Sequence, residues 1–103
     1  MKFKKYMVDK FTFIPRRSNI DTLARLGITV KHARQIIVQL TYKDYYRGPA
    51  RDRGGPEFNV WEFGKEINGD QLYIKLSDDF AYDYAKCISF HIAEYEIKYP
   101  YKK

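Results

Sequence analysis

Two residues restrict this chain more than any others. Asn68-Gly69 stands between two apolar, aromatic-rich segments, residues 59–63 and 71–76. Asn and Gly both accept positive φ, which a two-residue turn joining antiparallel strands demands. The pair therefore predicts a tight hairpin. Beyond it, Leu72, Ile74 and Leu76 alternate with Tyr73 and Lys75. A period of two puts the aliphatic set against a core and leaves a phenol and an ammonium on the opposite face. Residues 84–91 read as a third strand, and residues 94–99 as an edge strand before Pro100. Near the start, Phe11 and Phe13 flank Thr12 in a short strand over residues 10–14, stopped by Pro15.

Helical spacing fills the ground between that short strand and the hairpin. Ser18 and Asp21 have the spacing of a capping signal, and a helix over residues 20–26 would end at Gly27. Thr29 can cap a second helix over residues 30–40, where Ala33, Ile36, Ile37 and Leu40 form one apolar stripe. His32 lies off that stripe and receives no role. Residues 41–56 read as a mobile cationic loop, because Gly48-Pro49 and Gly54-Gly55-Pro56 interrupt regular backbone and Arg47, Arg51 and Arg53 lie among them. One strand, two helices and a meander make an α+β fold, with an antiparallel sheet and both helices of the N-terminal half on one face.

At 103 residues the chain is expected to form a single domain, with residues 1–9 as a basic arm. Charge is unevenly spread. Residues 1–56 carry 13 Lys and Arg against 4 Asp and Glu, whereas residues 57–103 carry 6 against 9. A basic half points to an anionic partner, RNA or DNA, or else to a solubilising surface. Cys87 is the only cysteine and lies in an apolar run, which excludes a disulfide within the chain and suits a reducing cytoplasm. There is no glycine-rich phosphate loop, no His-x-Glu or Cys-x-x-Cys pattern and no nucleophile elbow, so neither a metal nor a cofactor is expected. No stretch approaches the ~20 apolar residues of a membrane span, and no membrane partner is expected.

The polar sheet face holds the candidate chemistry. If Ile88 and Phe90 take the core, Ser89 and His91 face the other way, beside Tyr73 and Lys75. If Trp61 and Phe63 take the core, Glu62 joins them. An imidazole, a carboxylate, a phenol and an ammonium together suit phosphodiester cleavage. A base removes the ribose 2′-hydroxyl proton, an acid protonates the leaving 5′ oxygen, and cations hold the phosphorane charge. An imidazole, with an ordinary pKa of about 6.5, can perform either proton transfer near neutrality. A solvated sheet face carrying only cross-strand pairs is the competing reading.

An ordered series of short motifs runs through residues 23–91: Leu26-Gly27-Ile28, Ile36-Ile37-Val38-Gln39-Leu40, Asp44-Tyr45-Tyr46, Val60-Trp61-Glu62, Leu72-Tyr73-Ile74-Lys75-Leu76 and Ile88-Ser89-Phe90. In this series the chain resembles the MqsR family of bacterial toxins, messenger-RNA interferases with a RelE-like fold. The resemblance implies a basic catalytic residue after Asp44-Tyr45-Tyr46, where Arg47 stands. It implies a Gln after the Trp, where this chain has Glu62, and a strand Tyr, matched by Tyr73. It implies a basic residue after the Ser-Phe pair, where His91 replaces a Lys. Arg for Lys keeps the charge with another geometry. His for Lys exchanges a fixed cation for a titratable group, and Glu for Gln adds a potential base.

The expected site is then Arg47, Glu62, Tyr73 and His91. Glu62 or His91 acts as base and the other as acid, and Tyr73 orients the phosphate or leaving group. Arg47 and Lys75 stabilise charge, while Arg51, Arg53 and Lys65 hold the RNA backbone. The resemblance implies 2′,3′-cyclic phosphate and 5′-hydroxyl products, with a cognate antitoxin as partner and messenger RNA, free or on the ribosome, as substrate. Two other functions stay open at this point: a non-catalytic RNA- or protein-binding module of the same fold, and a toxin of that fold aimed at gyrase.

Overall fold

A computed structural model of the chain describes residues 11–51, 58–79 and 84–100. Chain order runs β1 (Phe11–Phe13), α1 (Arg17–Leu26), α2 (Val30–Val38), a 3-10 turn (Tyr42–Asp44), β2 (Tyr45–Arg51), β3 (Phe58–Ile67), β4 (Asp70–Asp79) and β5 (Tyr84–Ile92). The fold is α+β. Among the described residues, no helix is long and apolar enough to cross a membrane.

The hairpin is longer than expected. β3 and β4 pair without interruption from Ile67 opposite Asp70 to Phe58 opposite Asp79. Asn68 and Gly69 take φ of 51° and 84° at its tip. The sheet order is β1-β5-β4-β3-β2. It is not wholly antiparallel, since β1 lies parallel to β5, with Phe11 opposite Ala85 and Phe13 opposite Cys87. A short strand that leaves through helices has no hairpin to fix its direction. Both helices cover the face formed by Phe63, Leu72, Ile74, Leu76, Cys87 and Phe90, and contribute Leu23, Ala33, Ile36 and Ile37 to the same core.

α1 starts at Arg17, earlier than expected, and the Ser18–Asp21 capping signal is not used. Arg16 is the N-cap and offers no side-chain bond. Ser18 lies inside the helix, where its carbonyl accepts from Thr22 Oγ1 at 2.8 Å. Pro15 ends β1, and Arg16 N donates to the Ile14 carbonyl at 2.9 Å, so the chain has already turned and the helix can begin at once. Gly27 closes α1 at φ 69°, and Ile28 N reaches back to the Leu23 carbonyl at 3.0 Å. Thr29 Oγ1 caps α2 by accepting from His32 N at 3.1 Å.

A buried amide joins α1 to β5. The register of β5 against β4 slips after Lys75, which pairs with Ser89 while Leu76 pairs with Cys87, leaving Ile88 as the extra residue. β1 ends just short of this point. Asn19, wholly buried in α1, takes the place of the missing strand. Its Nδ2 donates to the Ile88 carbonyl at 2.9 Å and to the Ile14 carbonyl at 3.0 Å, and its Oδ1 accepts from Phe90 N at 2.9 Å. One side chain thus satisfies the Ile88 carbonyl and the Phe90 N–H, two buried groups that need partners, and adds a second bond to the Ile14 carbonyl.

Two expectations about irregular segments are corrected. Residues 45–51, expected in a mobile loop, form the edge strand β2, paired to β3 with Arg47 opposite Glu62 and Ala50 opposite Val60. An edge tolerates Pro49, whose missing N–H needs no partner there. Two register shifts flank Arg47, and Gly48, within the second of them, has φ 119°. A Cβ at Gly48 would stand 2.6 Å from the Val60 carbonyl oxygen and 3.0 Å from Trp61 Cα, both backbone atoms that cannot swing away. Gly48→Ala is therefore expected to lower stability by about 2–3 kcal/mol. It should also loosen Arg47. Urea unfolding reads the first effect, and a midpoint equal to wild type would contradict it. Residues 42–44 form the 3-10 turn, while residues 52–56 of the expected loop, Arg53 included, and the basic arm lie outside the described residues.

The second correction concerns residues 94–99, which form no strand. They cross the sheet face opposite the helices. Ile97 is buried there, its N donates to Gln71 Oε1 at 3.3 Å, and Gln71 Nε2 donates to Tyr99 Oη at 3.0 Å. Gly64 makes the room. A Cβ at that position would lie 2.5 Å from Tyr99 Oη and 2.8 Å from Ile97 Cδ1.

Candidate active site

The sheet face opposite the helices collects the polar residues in two rows. One row reads Arg47, Glu62, Lys75 and Ser89 across β2 to β5, and the next reads Gly64, Tyr73 and His91 across β3 to β5. Side chains directly opposite or diagonal on one face lie within mutual reach. The alternation expected for Glu62, Tyr73, Lys75, Ser89 and His91 is therefore the one observed, with Phe63, Ile74 and Phe90 on the core side.

Glu62 lies at the centre. Its side chain is only 9% exposed. Arg47 Nε donates to Oε2 at 2.5 Å, and the Tyr73 hydroxyl donates to Oε1. Each carboxylate oxygen thus holds one neighbour in place. Burial pushes the Glu62 carboxyl up. The hydrogen bonds from Arg47 and Tyr73, with the Arg47 and Lys75 charges, outweigh it and hold the group below the usual carboxylate range. Tyr73 is pushed far up, first by burial and then because its proton is committed to Glu62. Arg47 is raised by the bond to Glu62 and by that carboxylate's charge. The three groups are locked as carboxylate, phenol and guanidinium.

This arrangement changes the role expected of Glu62. A carboxylate with both oxygens engaged and its charged form favoured is a weak base at neutral pH, and it serves instead to position Arg47 and Tyr73. Arg47 uses only Nε on Glu62. Its side chain remains 64% exposed, with the guanidinium 4.9 Å over the Tyr46 ring, so its terminal NH₂ groups are presented outward. His91 brings an imidazole to the same face. Its ring lies 5.3 Å from the Tyr73 ring, tilted by 34°. His91 Nδ1 lies 3.0 Å from the Ile92 carbonyl oxygen, which can only accept, so Nδ1 carries the proton in the neutral ring and Nε2 keeps the lone pair.

These groups open onto a cleft of about 300 Å³. Tyr46, Arg47, Tyr73 and His91 form one part of its lining, and residues 93–97 form the other. Glu62 and Lys75 do not line it. Glu62 holds the lining residues through the bonds already described, and Lys75, half-buried and directly opposite it in the same row, contributes charge to Glu62. The wall from Ala93 to Ile97 and the Tyr46 ring were not expected as parts of a site. Gly64 was their signal, because a glycine inside a strand marks a place where other atoms approach the backbone closely.

Lys65 does not belong to this face. It is two residues from Phe63 and so shares the helix-side face, where its ammonium lies 3.7 Å from Asp44 Oδ1. Arg51 ends β2, four residues beyond Arg47 on the same edge, and Arg53 lies outside the described residues. Among the described residues no group of three or more His, Cys, Asp or Glu side chains is placed to hold a metal ion. Cys87 is fully buried, and its thiol is pushed far up by burial, as an inert core residue requires.

The lowered Glu62 pKa sets a direction for acid stability. Because the folded value is below the unfolded one, the ionised form favours the fold. That contribution is complete above the ordinary carboxylate value of about 4.3 and is lost as pH falls through the folded value. Glu62→Gln should therefore flatten the fall of the thermal midpoint below about pH 4.3. Parallel curves for the two proteins would contradict this.

No protein-family model matches the chain, and neither a curated protein nor a solved structure does.

Proposed function

We propose that this protein is a metal-independent endoribonuclease, a messenger-RNA interferase of the RelE/MqsR type, acting in the cytoplasm and neutralised by a cognate antitoxin. The observation that carries the reading is the pairing of roles on one wall of the cleft. A guanidinium is fixed by a buried carboxylate with its outer donors free, beside an imidazole whose Nε2 is open for a proton. RNA supplies its own nucleophile, so cleavage needs only a base, a cation on the phosphate and space for the leaving group.

In this reading His91 Nε2 accepts the 2′-hydroxyl proton. The 2′ oxygen bonds to phosphorus, and Arg47 holds the non-bridging oxygens as charge develops on them. The bond from phosphorus to the 5′ oxygen breaks, and that oxygen takes a proton from water in the open cleft. The products are a 2′,3′-cyclic phosphate and a 5′-hydroxyl. Tyr73, bonded to Glu62 and stacked near His91, keeps base and cation in register.

RNA and DNA copies of one unstructured sequence, incubated with the protein in excess chelator, test the reading. The RNA is expected to be cut and the DNA to stay intact, because only RNA has the internal nucleophile. Cutting of the DNA copy would contradict the mechanism. RNA left whole even with translating ribosomes present would contradict the activity and leave a binding module of this fold.

A further inference from the structure

A second surface on the molecule has the chemistry of a nucleic-acid contact and lies away from the cleft. Along the outer side of α2, a shallow groove of about 480 Å³ is lined by Lys31, Arg34, Gln35, Val38 and Gln39. At 1.5 Å per residue this helix offers roughly 13 Å of surface, enough for two or three nucleotides of an extended strand. Three residues beyond Gln39 is Tyr42, which is 63% exposed, and Lys43 follows it, also exposed.

The electrostatics of this surface are one-sided. Asp21 is the only acidic residue on either helix, and Arg17 lies 3.7 Å from it. Among the described residues, Lys31, Arg34 and Lys43 form no ion pair. Gln35 and Gln39 add neutral hydrogen-bond donors of the kind that meet phosphate and ribose. Tyr42 offers an open ring of the kind on which bases stack. Val38, 37% exposed, is the only apolar residue lining the groove. An amphipathic protein helix would need an apolar row, which one valine does not provide.

The surface is also continuous with the cleft along the chain. Tyr42 and Lys43 lie in the 3-10 turn that leads into β2, and Arg47, whose guanidinium faces the cleft, is four residues past Lys43. Cations thus follow one another from Lys31 and Arg34, past Lys43 at the sheet edge, to Arg47. We propose that the α2 groove is a second binding surface for substrate RNA, holding the sugar-phosphate backbone of the strand several nucleotides from the bond that is cut. It rests on the reading that the cleft takes RNA. It adds that long RNA wraps the β2 edge, so that affinity depends on strand length.

The test measures binding and not cutting. In the His91→Ala background, which keeps the RNA whole, fluorescence anisotropy is recorded for single-stranded RNAs of about 4 and about 20 nucleotides over a range of salt. The groove variant is Lys31→Gln with Arg34→Gln, both on the outer face of α2, and its thermal midpoint should match the parent's. Removing two phosphate contacts should lower the slope of log affinity against log salt by about 1.4 for the long RNA. The advantage of the parent then shrinks about 25-fold over a tenfold rise in salt. The short RNA should bind both proteins equally. Equal slopes for the long RNA, or equal weakening of both lengths, overturn the proposal. Equal slopes would leave the groove to an acidic protein segment. Failure of the wild-type chain to cleave RNA bears on the cleft alone, because anisotropy reads the groove independently.

Discussion

His91→Ala lowers the rate of RNA cleavage by about 10²–10⁴-fold, the range for loss of a positioned general base, and leaves the fold intact. The side chain is half-buried at the cleft, and its Nδ1 bond to the Ile92 carbonyl is to its adjacent residue, so its loss removes little packing. What disappears is the imidazole lone pair at Nε2, the base assigned to the reaction. The neighbouring variants separate base from scaffold. Arg47→Lys keeps a cation but not the geometry by which one guanidinium grips Glu62 through Nε and offers its other nitrogens to a phosphate, so it too should lose activity. Glu62→Gln cannot accept from both Arg47 and Tyr73 with equal strength, since one oxygen becomes a donor. It should lose activity through a slower chemical step with little change in RNA affinity. Full activity in His91→Ala would refute the assignment of the base.

Asn19→Leu is expected to cost about 3–5 kcal/mol of folding stability. The two side chains have the same branching and the same number of heavy atoms, and Leu is the larger, so the change removes no bulk. It removes three hydrogen bonds to buried backbone and strands the Ile88 carbonyl, the Phe90 N–H and one bond to the Ile14 carbonyl. Each buried group left without a partner costs about 1–3 kcal/mol. Against a typical total of about 5–15 kcal/mol, this is a large share of the stability of the fold. Denaturant unfolding measures it directly. A loss under about 1 kcal/mol would mean that water or a shifted backbone replaces the amide.

Some of this architecture is legible in local sequence and some is not, for identifiable reasons. Asn68-Gly69 fixes the hairpin because two positive-φ residues in sequence leave the backbone few alternatives. Alternation from that turn places Glu62, Tyr73 and His91 on one face, and Gly27 and Thr29 bound the helices, since caps are local events. Lys65 was equally legible: it follows Phe63 by two, and the same rule assigns it to the helix side. Asn19 was not, because its partners Ile88 and Phe90 are 69 and 71 residues away. β2 is not legible either, because Gly48 and Pro49 interrupt regular backbone in isolation, whereas a bulged edge strand admits both. The parallel pairing of β1 with β5 carries no local signal at all. The cleft wall depends on the chain folding back over Gly64, which an isolated segment with alternating Tyr95, Ile97 and Tyr99 cannot disclose.

The most direct measurement of the central claim is the chemistry of the cut ends. Purified protein and a long unstructured messenger RNA are incubated in excess EDTA, with His91→Ala alongside, and the fragment termini are mapped. Discrete cuts ending in 2′,3′-cyclic phosphate and 5′-hydroxyl, absent in the variant, are the result this account predicts. Cuts bearing 3′-hydroxyl and 5′-phosphate, or cuts that persist in His91→Ala, would contradict it.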